Sequence, residues 1–368
     1  MVQPVYADCL VGSHYEIFAV SPDGTSVKQL TSDATYDSWW PKLAPDGSKI
    51  AFMRTPAGNH DNTLTNATVW TMNPDGSSLT QRFGAVSLSM TALAHIEWGP
   101  DSSEMVFACS DASNDYIKVV STTTWAVTKT PYTLAHGSGN AYDPAFNPSN
   151  QAEIDLVVFT AGVYVASTLP NLDAQTITGR LNNGATPIYD PYVSPDGTTC
   201  VFLQNSGGNW SLQKCTWPAG GSKTAVVADS SVNSRGMWIS NSKLIFHRLV
   251  SGETAFTLAT INSDGTGLTR LGGIRAEYPT PYVVASLPLA GVTGSSADRK
   301  VKQLLQWQSA SPGTRKGTGQ ELEQRWWAEM GWFTPPFGDY RRPALELVKG
   351  SALANTSHGD REYVFWGN

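Results

Sequence analysis

Charge is scarce in this chain: 15% of its 368 residues are Asp, Glu, Lys or Arg, against roughly 25% in an average soluble protein. The balance is slightly acidic, 25 basic against 31 acidic residues, which argues against a protein built around a basic nucleic-acid-binding face. No run approaches the roughly 18 consecutive apolar residues of a membrane-spanning helix. Cysteine is rare too, and Cys9, Cys109, Cys200 and Cys215 are too few for a disulfide scaffold. The first residues, through Asp8 and Cys9, carry neither the basic nor the apolar stretch of an export signal. The expected setting is therefore an intracellular or virion assembly, or the periplasm or cell exterior with a signal removed.

Glycine (33), proline (22) and tryptophan (13) are plentiful, a composition suited to β-structure with tight turns. Internal repeats organise it. Trp40-Pro41-Lys42-Leu43-Ala44-Pro45-Asp46-Gly47 through Phe52 matches Asp190-Pro191-Tyr192-Val193-Ser194-Pro195-Asp196-Gly197 through Phe202 in register. Weaker copies start at His95 and Asp143, and degenerate ones at Arg235 and Tyr278. The steps from Pro45 to Pro100, Pro148 and Pro195 are 55, 48 and 47 residues, the spacing of four-stranded propeller blades. A second motif alternates with the first: a strand, Pro-Asp-Gly or a relative, then a strand ending in Leu, as in Val69 to Leu79. In each turn Pro presets φ, Asp bonds back to the main chain, and Gly takes the positive-φ position.

Each blade thus reads as strands a, b, c and d, with Pro-Asp-Gly turns between a and b and between c and d. Six strand-a motifs occur, while the N-terminus supplies only b (Val5 to Leu10), c (Tyr15 to Val20) and d (Val27 to Leu30). The missing strand a is expected at Tyr278 to Val284, joining the chain ends and removing open edges. The fold predicted is all-β: a six-bladed propeller over residues 1–290, followed by an aromatic-rich, partly helical extension over 291–368.

The alternation of Pro-x-hydrophobic-Ser-Pro-Asp-Gly units with hydrophobic-Asn-x-Asp-Gly units resembles the PD40, or TolB-like, six-bladed propeller family over about residues 4–286. The resemblance implies one of several roles: a protein-docking module, a lid on a serine peptidase, or a glycan-active enzyme. The peptidase role is excluded by the absence of a Gly-x-Ser-x-Gly elbow, and no phosphate loop or dinucleotide fingerprint points to a cofactor.

Both Pro-Asp-Gly turns of a blade lie on one face, so the b-to-c and d-to-a loops share the other. Those loops read as long and irregular (Thr55 to Asn66, Phe83 to Ala94, Thr130 to Tyr142, Leu181 to Ile188), which places function there. The residues just before each strand a are Trp40, His95, Asp143, Asp190, Arg235 and Tyr278, and they are expected to line a central funnel. Two carboxylates, a guanidinium, an imidazole and two aromatics suit a polar ligand, a glycan or a peptide. A purely structural reading competes, in which Asp143 and Asp190 cap their own d-to-a turns.

His14, His60, His95, His136 and His247 map to the same face. Family lyases acting on uronic-acid oligosaccharides make metal binding by His60, His95, His136 and His247 a candidate, but the histidines lie on different blades without paired spacing, so no metal is expected. Cys200 and Cys215 flank Asn205 to Asn209, a turn signal that sets them opposite each other as thiols or as a cross-strand disulfide.

After Gly294 the composition changes. Residues 1–294 hold 15 basic and 23 acidic residues; 295–368 hold 10 and 8, with five of the 13 Trp. Capping patterns predict short helices beginning near Ser295 and Thr318. So many aromatics in about 74 residues need a surface to pack on, either the propeller or a partner or neighbouring subunit, with Trp326, Trp327, Trp332 and Trp366 as anchors. The function expected is a non-catalytic interaction or ligand-binding module in a larger cell-envelope or virion assembly. The alternative is a glycan-active lyase or hydrolase using Asp143, Asp190, His95 and Arg235, the carboxylates supplying acid and base.

Overall fold

The structure is a computed structural model describing residues 4–22, 24–60, 64–172, 175–227 and 231–281. The extension, with its two expected helices and the four tryptophans named above, lies outside the described residues, as do Tyr282 to Val284.

Twenty-four strands form six four-stranded antiparallel sheets. Five blades run consecutively along the chain. Blade 2 is Tyr36–Leu43, Ile50–Pro56, Thr68–Met72 and Thr80–Gly84, and blades 3 to 6 begin at Ala92–Trp98, Asn140–Asn147, Ile188–Val193 and Val232–Ser240. Blade 1 is assembled from both ends of this region: Glu277–Pro281 pairs with Val5–Val11, which pairs with His14–Val20, with Val27–Gln29 outermost. Val5 lies opposite Pro281, Tyr6 opposite Thr280 and Asp8 opposite Glu277, so the closing strand starts one residue earlier than Tyr278.

The turn chemistry explains why the strands reverse where they do. Gly47, Gly197 and Gly265 sit at φ 73°, 75° and 91°, each donating its N–H to the carbonyl three residues back at 2.8–2.9 Å. The turn aspartates accept the N–H two residues on, as Asp46 does from Ser48 at 2.9 Å. Blade 3 has Ser102 at φ 64° where blades 2 and 5 have Gly47 and Gly197, and the same kind of bond, from Ser102 N–H to the Gly99 carbonyl, closes its turn. The one-residue departure that weakens this repeat in sequence therefore leaves its geometry intact.

Neighbouring blades bury apolar layers against each other. Ala51, Met53, Leu93 and Phe107 belong to the layer of blades 2 and 3; Val106, Ile117, Ile154 and Leu156 to that of blades 3 and 4. Cys200 lies directly opposite Cys215 in the hairpin whose turn is Gly207-Gly208, both buried and both free thiols.

Two sequence expectations need correcting. Thr130 to Tyr142 is mostly strand rather than loop, because Val127–Ala135 and Asn140–Asn147 continue up to a four-residue turn. Phe83 and Gly84 likewise finish a strand, and Ala92 to Ala94 begin one. Secondly, Trp40, His95, Asp143, Asp190, Arg235 and Tyr278 lie inside strand a, not before it. Pairing continues beyond each of them, interrupted by a register shift between, for instance, Trp39 and Lys42. Four of the six precede a proline, which can occupy an irregularity in the ladder where no strand N–H is required.

Candidate functional site

All six of these residues adopt a left-handed backbone, φ 47–55°, although none is glycine. Such geometry is uncommon for bulky residues and belongs here to the bulge in each strand a. A bulge withdraws a backbone N–H from its own sheet, and a buried N–H needs a partner. The neighbouring blade provides it. Asp8 Oδ2 accepts the Trp40 N–H at 3.1 Å, Asp143 Oδ2 accepts that of Asp190 at 2.9 Å, and His247 Nδ1 accepts that of Tyr278 at 2.9 Å. Asp143 is thus a cap, but across blades rather than on its own turn.

The side chains of the six complete the arrangement. His95 Nδ1 pairs with Asp143 Oδ1, and Arg235 Nη1 with Asp190 Oδ2. Trp40 stacks on Tyr278 with centroids 5.2 Å apart and meets the His95 ring at 4.7 Å. The Arg235 guanidinium lies 4.6 Å from the Trp40 ring and 5.0 Å from Tyr278, a cation–π contact on both. Asp143, Asp190, Trp40 and Tyr278 are buried, and these residues engage one another.

Two residues further along strand a lies a second set that sequence reasoning missed. Lys42 Nζ meets Glu97 Oε2 at 2.7 Å and the Tyr192 hydroxyl at 2.6 Å, with the Met237 sulfur at 3.7 Å. The two-residue period of a strand, counted from the six motif positions, was the available signal. The indole of Trp40 is in this way flanked by Arg235 and, at 5.5 Å, Lys42.

Electrostatics follow from this packing. Burial opposes charge on His95 and Asp143, yet their mutual attraction and hydrogen bond outweigh it, raising the imidazole and lowering the carboxyl relative to their ordinary values. Asp190 goes the other way: burial pushes it up to about 6 despite Arg235. Burial, then Arg235 and His60, hold His247 well below the usual histidine range, so it is a neutral acceptor for the Tyr278 N–H.

The remaining histidines are spread out. His60 stacks on Tyr15 at 3.5 Å and contacts Asp8 at 3.3 Å; His136 contacts Asp115 at 3.1 Å; His14 contacts Glu16 at 3.2 Å. Among the described residues no three His, Cys, Asp or Glu side chains converge as a metal site would require.

Substitution of Arg235 by Met is expected to destabilise the protein by about 2 kcal/mol at pH 7. Removing one partner of a buried pair costs about 3–5 kcal/mol, but a carboxyl already raised to about 6 escapes much of that by taking up a proton. Adding Asp190→Asn should recover most of the loss in urea unfolding; a double variant as unstable as the single one would contradict the pairing.

A cavity of about 150 Å³ opens between blades 3 and 4 on the long-loop face. Leu64, Leu93, Ala94, Ala108 and Ala141 form its apolar walls, and His95, Asp115 and Asn140 add polar groups. His95 thereby connects the central cluster to this opening.

Solved structures share this fold. The chain superposes on TolB from Acinetobacter baumannii with a TM-score of 0.60, at 14% identity over 76% of this chain and 67% of that one. The fold is a TolB-like six-bladed propeller. Hydrazine synthase of Kuenenia stuttgartiensis gives 0.58 at 13% identity, covering 77% of this chain and 47% of that one. A chain of a nidogen–laminin complex gives 0.56 at 7% identity, covering 77% and 99%. At these identities the likeness concerns the fold. No family model matches the sequence, and no curated protein matches it. No helix among the described residues is long and apolar enough to cross a membrane.

Proposed function

We propose that this TolB-like propeller is a non-catalytic interaction module that receives a protein partner on its long-loop face within a larger assembly. The observation carrying this reading is the mutual engagement of His95 with Asp143 and of Arg235 with Asp190. A glycoside-cleaving pair needs two carboxyls facing a substrate with room for sugar and water between them. Here Asp143 and Asp190 are buried, and Asp143 is spent on its neighbour's N–H. The opening beside them, about 150 Å³, is smaller than the roughly 300–1,000 Å³ of pockets that enclose small-molecule ligands, and it suits one inserted side chain. The C-terminal segment, with Trp326, Trp327, Trp332 and Trp366, is proposed as the attachment arm on its composition.

Ala92 lines the cavity, and Ala92→Trp is expected to fill it. A partner cross-linked to the wild-type chain in its native source should be lost from this variant, at unchanged melting temperature. Turnover of an acidic oligosaccharide that Asp143→Asn abolishes would refute the reading in favour of a lyase or hydrolase.

A further inference from the structure

The cavity between blades 3 and 4 combines an apolar wall with one-sided charge. Its walls are short aliphatic side chains, Ala94, Ala108 and Ala141 with Leu64 and Leu93, which leave a slot for an unbranched stem. The charge is that of Asp115. Its Oδ1 contacts His136 Nε2 at 3.1 Å on the exposed side, while Oδ2 has only long contacts, 3.4 Å each to Asn140 Nδ2 and the Ala141 N–H. A carboxylate this loosely held retains capacity for a strong donor, since charge-assisted bonds form at about 2.7–2.9 Å.

Other charges nearby reinforce the sign. Asp111, in the turn leading to Asp115, accepts the Tyr116 hydroxyl at 2.6 Å and two backbone N–H groups, and these bonds hold its carboxyl below the usual range. Lys118, the nearby cation of the same strand, is turned to the Tyr116 ring at 4.5 Å on the strand's opposite face, and its field at Cys109 in the cavity wall opposes those of Asp111 and Asp115. His95 faces the cavity already paired with Asp143, so that pair adds no net charge.

Resting on the interaction reading above, we propose that this cavity receives a lysine or arginine side chain of the partner, its aliphatic stem against the alanine wall and its cationic head on Asp115. An acidic side chain would meet the fields of Asp111 and Asp115. A purely apolar one would fill the walls and leave the carboxylate's loose oxygen unused. A long cation satisfies both halves, as snorkelling side chains do elsewhere.

The test uses the full chain and capped pentapeptides Gly-Gly-X-Gly-Gly, with X as Lys, Arg, norleucine or Glu, titrated while the imidazole signals of His95 and His136 are followed by NMR. Lys and Arg peptides should saturate both signals, and norleucine and Glu peptides should bind at least about tenfold more weakly. Asp115→Asn should erase the preference for Lys over norleucine, and Ala92→Trp should abolish binding of every peptide. Norleucine binding as well as lysine, preference for Glu, or no perturbation by any peptide up to about 10 mM would overturn the proposal. If the cationic preference fails while Ala92→Trp still removes the cross-linked partner, the side-chain assignment is wrong and the interaction face stands. If Ala92→Trp leaves the partner bound, the interaction face itself is wrong.

Discussion

Truncation after Ala276 is expected to abolish cooperative unfolding, whereas truncation after Ala285 preserves it. The nine residues between carry Glu277–Pro281, the strand that closes blade 1. Without it, Val5–Val11 becomes an open edge with Tyr6 and Ala7, both fully buried, beside it. Tyr278 goes as well, and with it contacts to Trp40 at 5.2 Å, Trp39 at 6.0 Å, His60 at 5.6 Å and His247 at 5.2 Å. Burying one such side chain is worth about 2–3 kcal/mol, and each aromatic pair about 0.5–1.5 more. Lost ladder bonds add about 1 kcal/mol each, and Arg235 keeps only one of its two rings. The total is comparable with the whole stability of a domain, about 5–15 kcal/mol. Circular dichroism melts of the two fragments decide it: a 1–276 fragment melting within a few degrees of 1–285 would mean that the ring is closed by something else.

The second large effect comes from Asp155, in the Asn150–Thr160 strand. It is buried, with Oδ1 accepting the Thr168 hydroxyl at 2.8 Å. Burial pushes its carboxyl up to about 8, and the hydrogen bonds of Thr168 and Trp217, with the charge of Arg180, offset only part of this. The folded pKa lies above the unfolded value of roughly 3.9, so the native state holds a proton that the unfolded chain releases. Stability therefore falls as pH rises from about 4 to about 8, at up to about 1.4 kcal/mol per pH unit. Asp155→Asn keeps the carbonyl acceptor for Thr168 and has nothing to ionise. The variant should be more stable than wild type by about 4 kcal/mol at pH 7, with the gain vanishing near pH 4. Urea unfolding at pH 4.5 and 8 measures it, and parallel pH profiles for the two proteins would show that Asp155 is ionised in the fold.

These two sites differ in how far they can be read from sequence. The closing strand is legible because an array with five complete blades and one lacking strand a has a single way to remove its edges. Asp155 reads as an ordinary polar residue in a strand, and only its burial in the folded blade makes it costly. The cysteine pair divides the same way. The Gly207-Gly208 turn sets Cys200 opposite Cys215, while the state of the thiols depends on chemistry that register does not encode.

Alignment of the repeats finds the central residues, while the packing of neighbouring blades sets how they pair. Repeat spacing places Trp40, His95, Asp143, Asp190, Arg235 and Tyr278 at one level of six strands, and six side chains at one level suggested a funnel. How they engage one another depends on which residue stands in the next blade: Asp143 beside His95, Asp190 beside Arg235, an aromatic beside an aromatic. Lys42 and Glu97 occupy motif positions where the other repeats carry Ala145, Tyr192, Met237 and Thr280, so no charge pattern repeats there.

By itself the sequence determined the blade count, the turn positions, the strand order and the level at which the six axial residues stand. All of these rest on interactions between residues close in the chain, where proline, aspartate and glycine act through φ, ψ and local hydrogen bonds, and on repetition of that unit. The tertiary structure decided which carboxyls are paired, which are buried, and where a cavity opens between blades 3 and 4. Those outcomes depend on groups 45 to 48 residues apart, such as Asp190 with Arg235 and His95 with Asp143, whose desolvation and attraction act through space and leave no periodic mark on the chain.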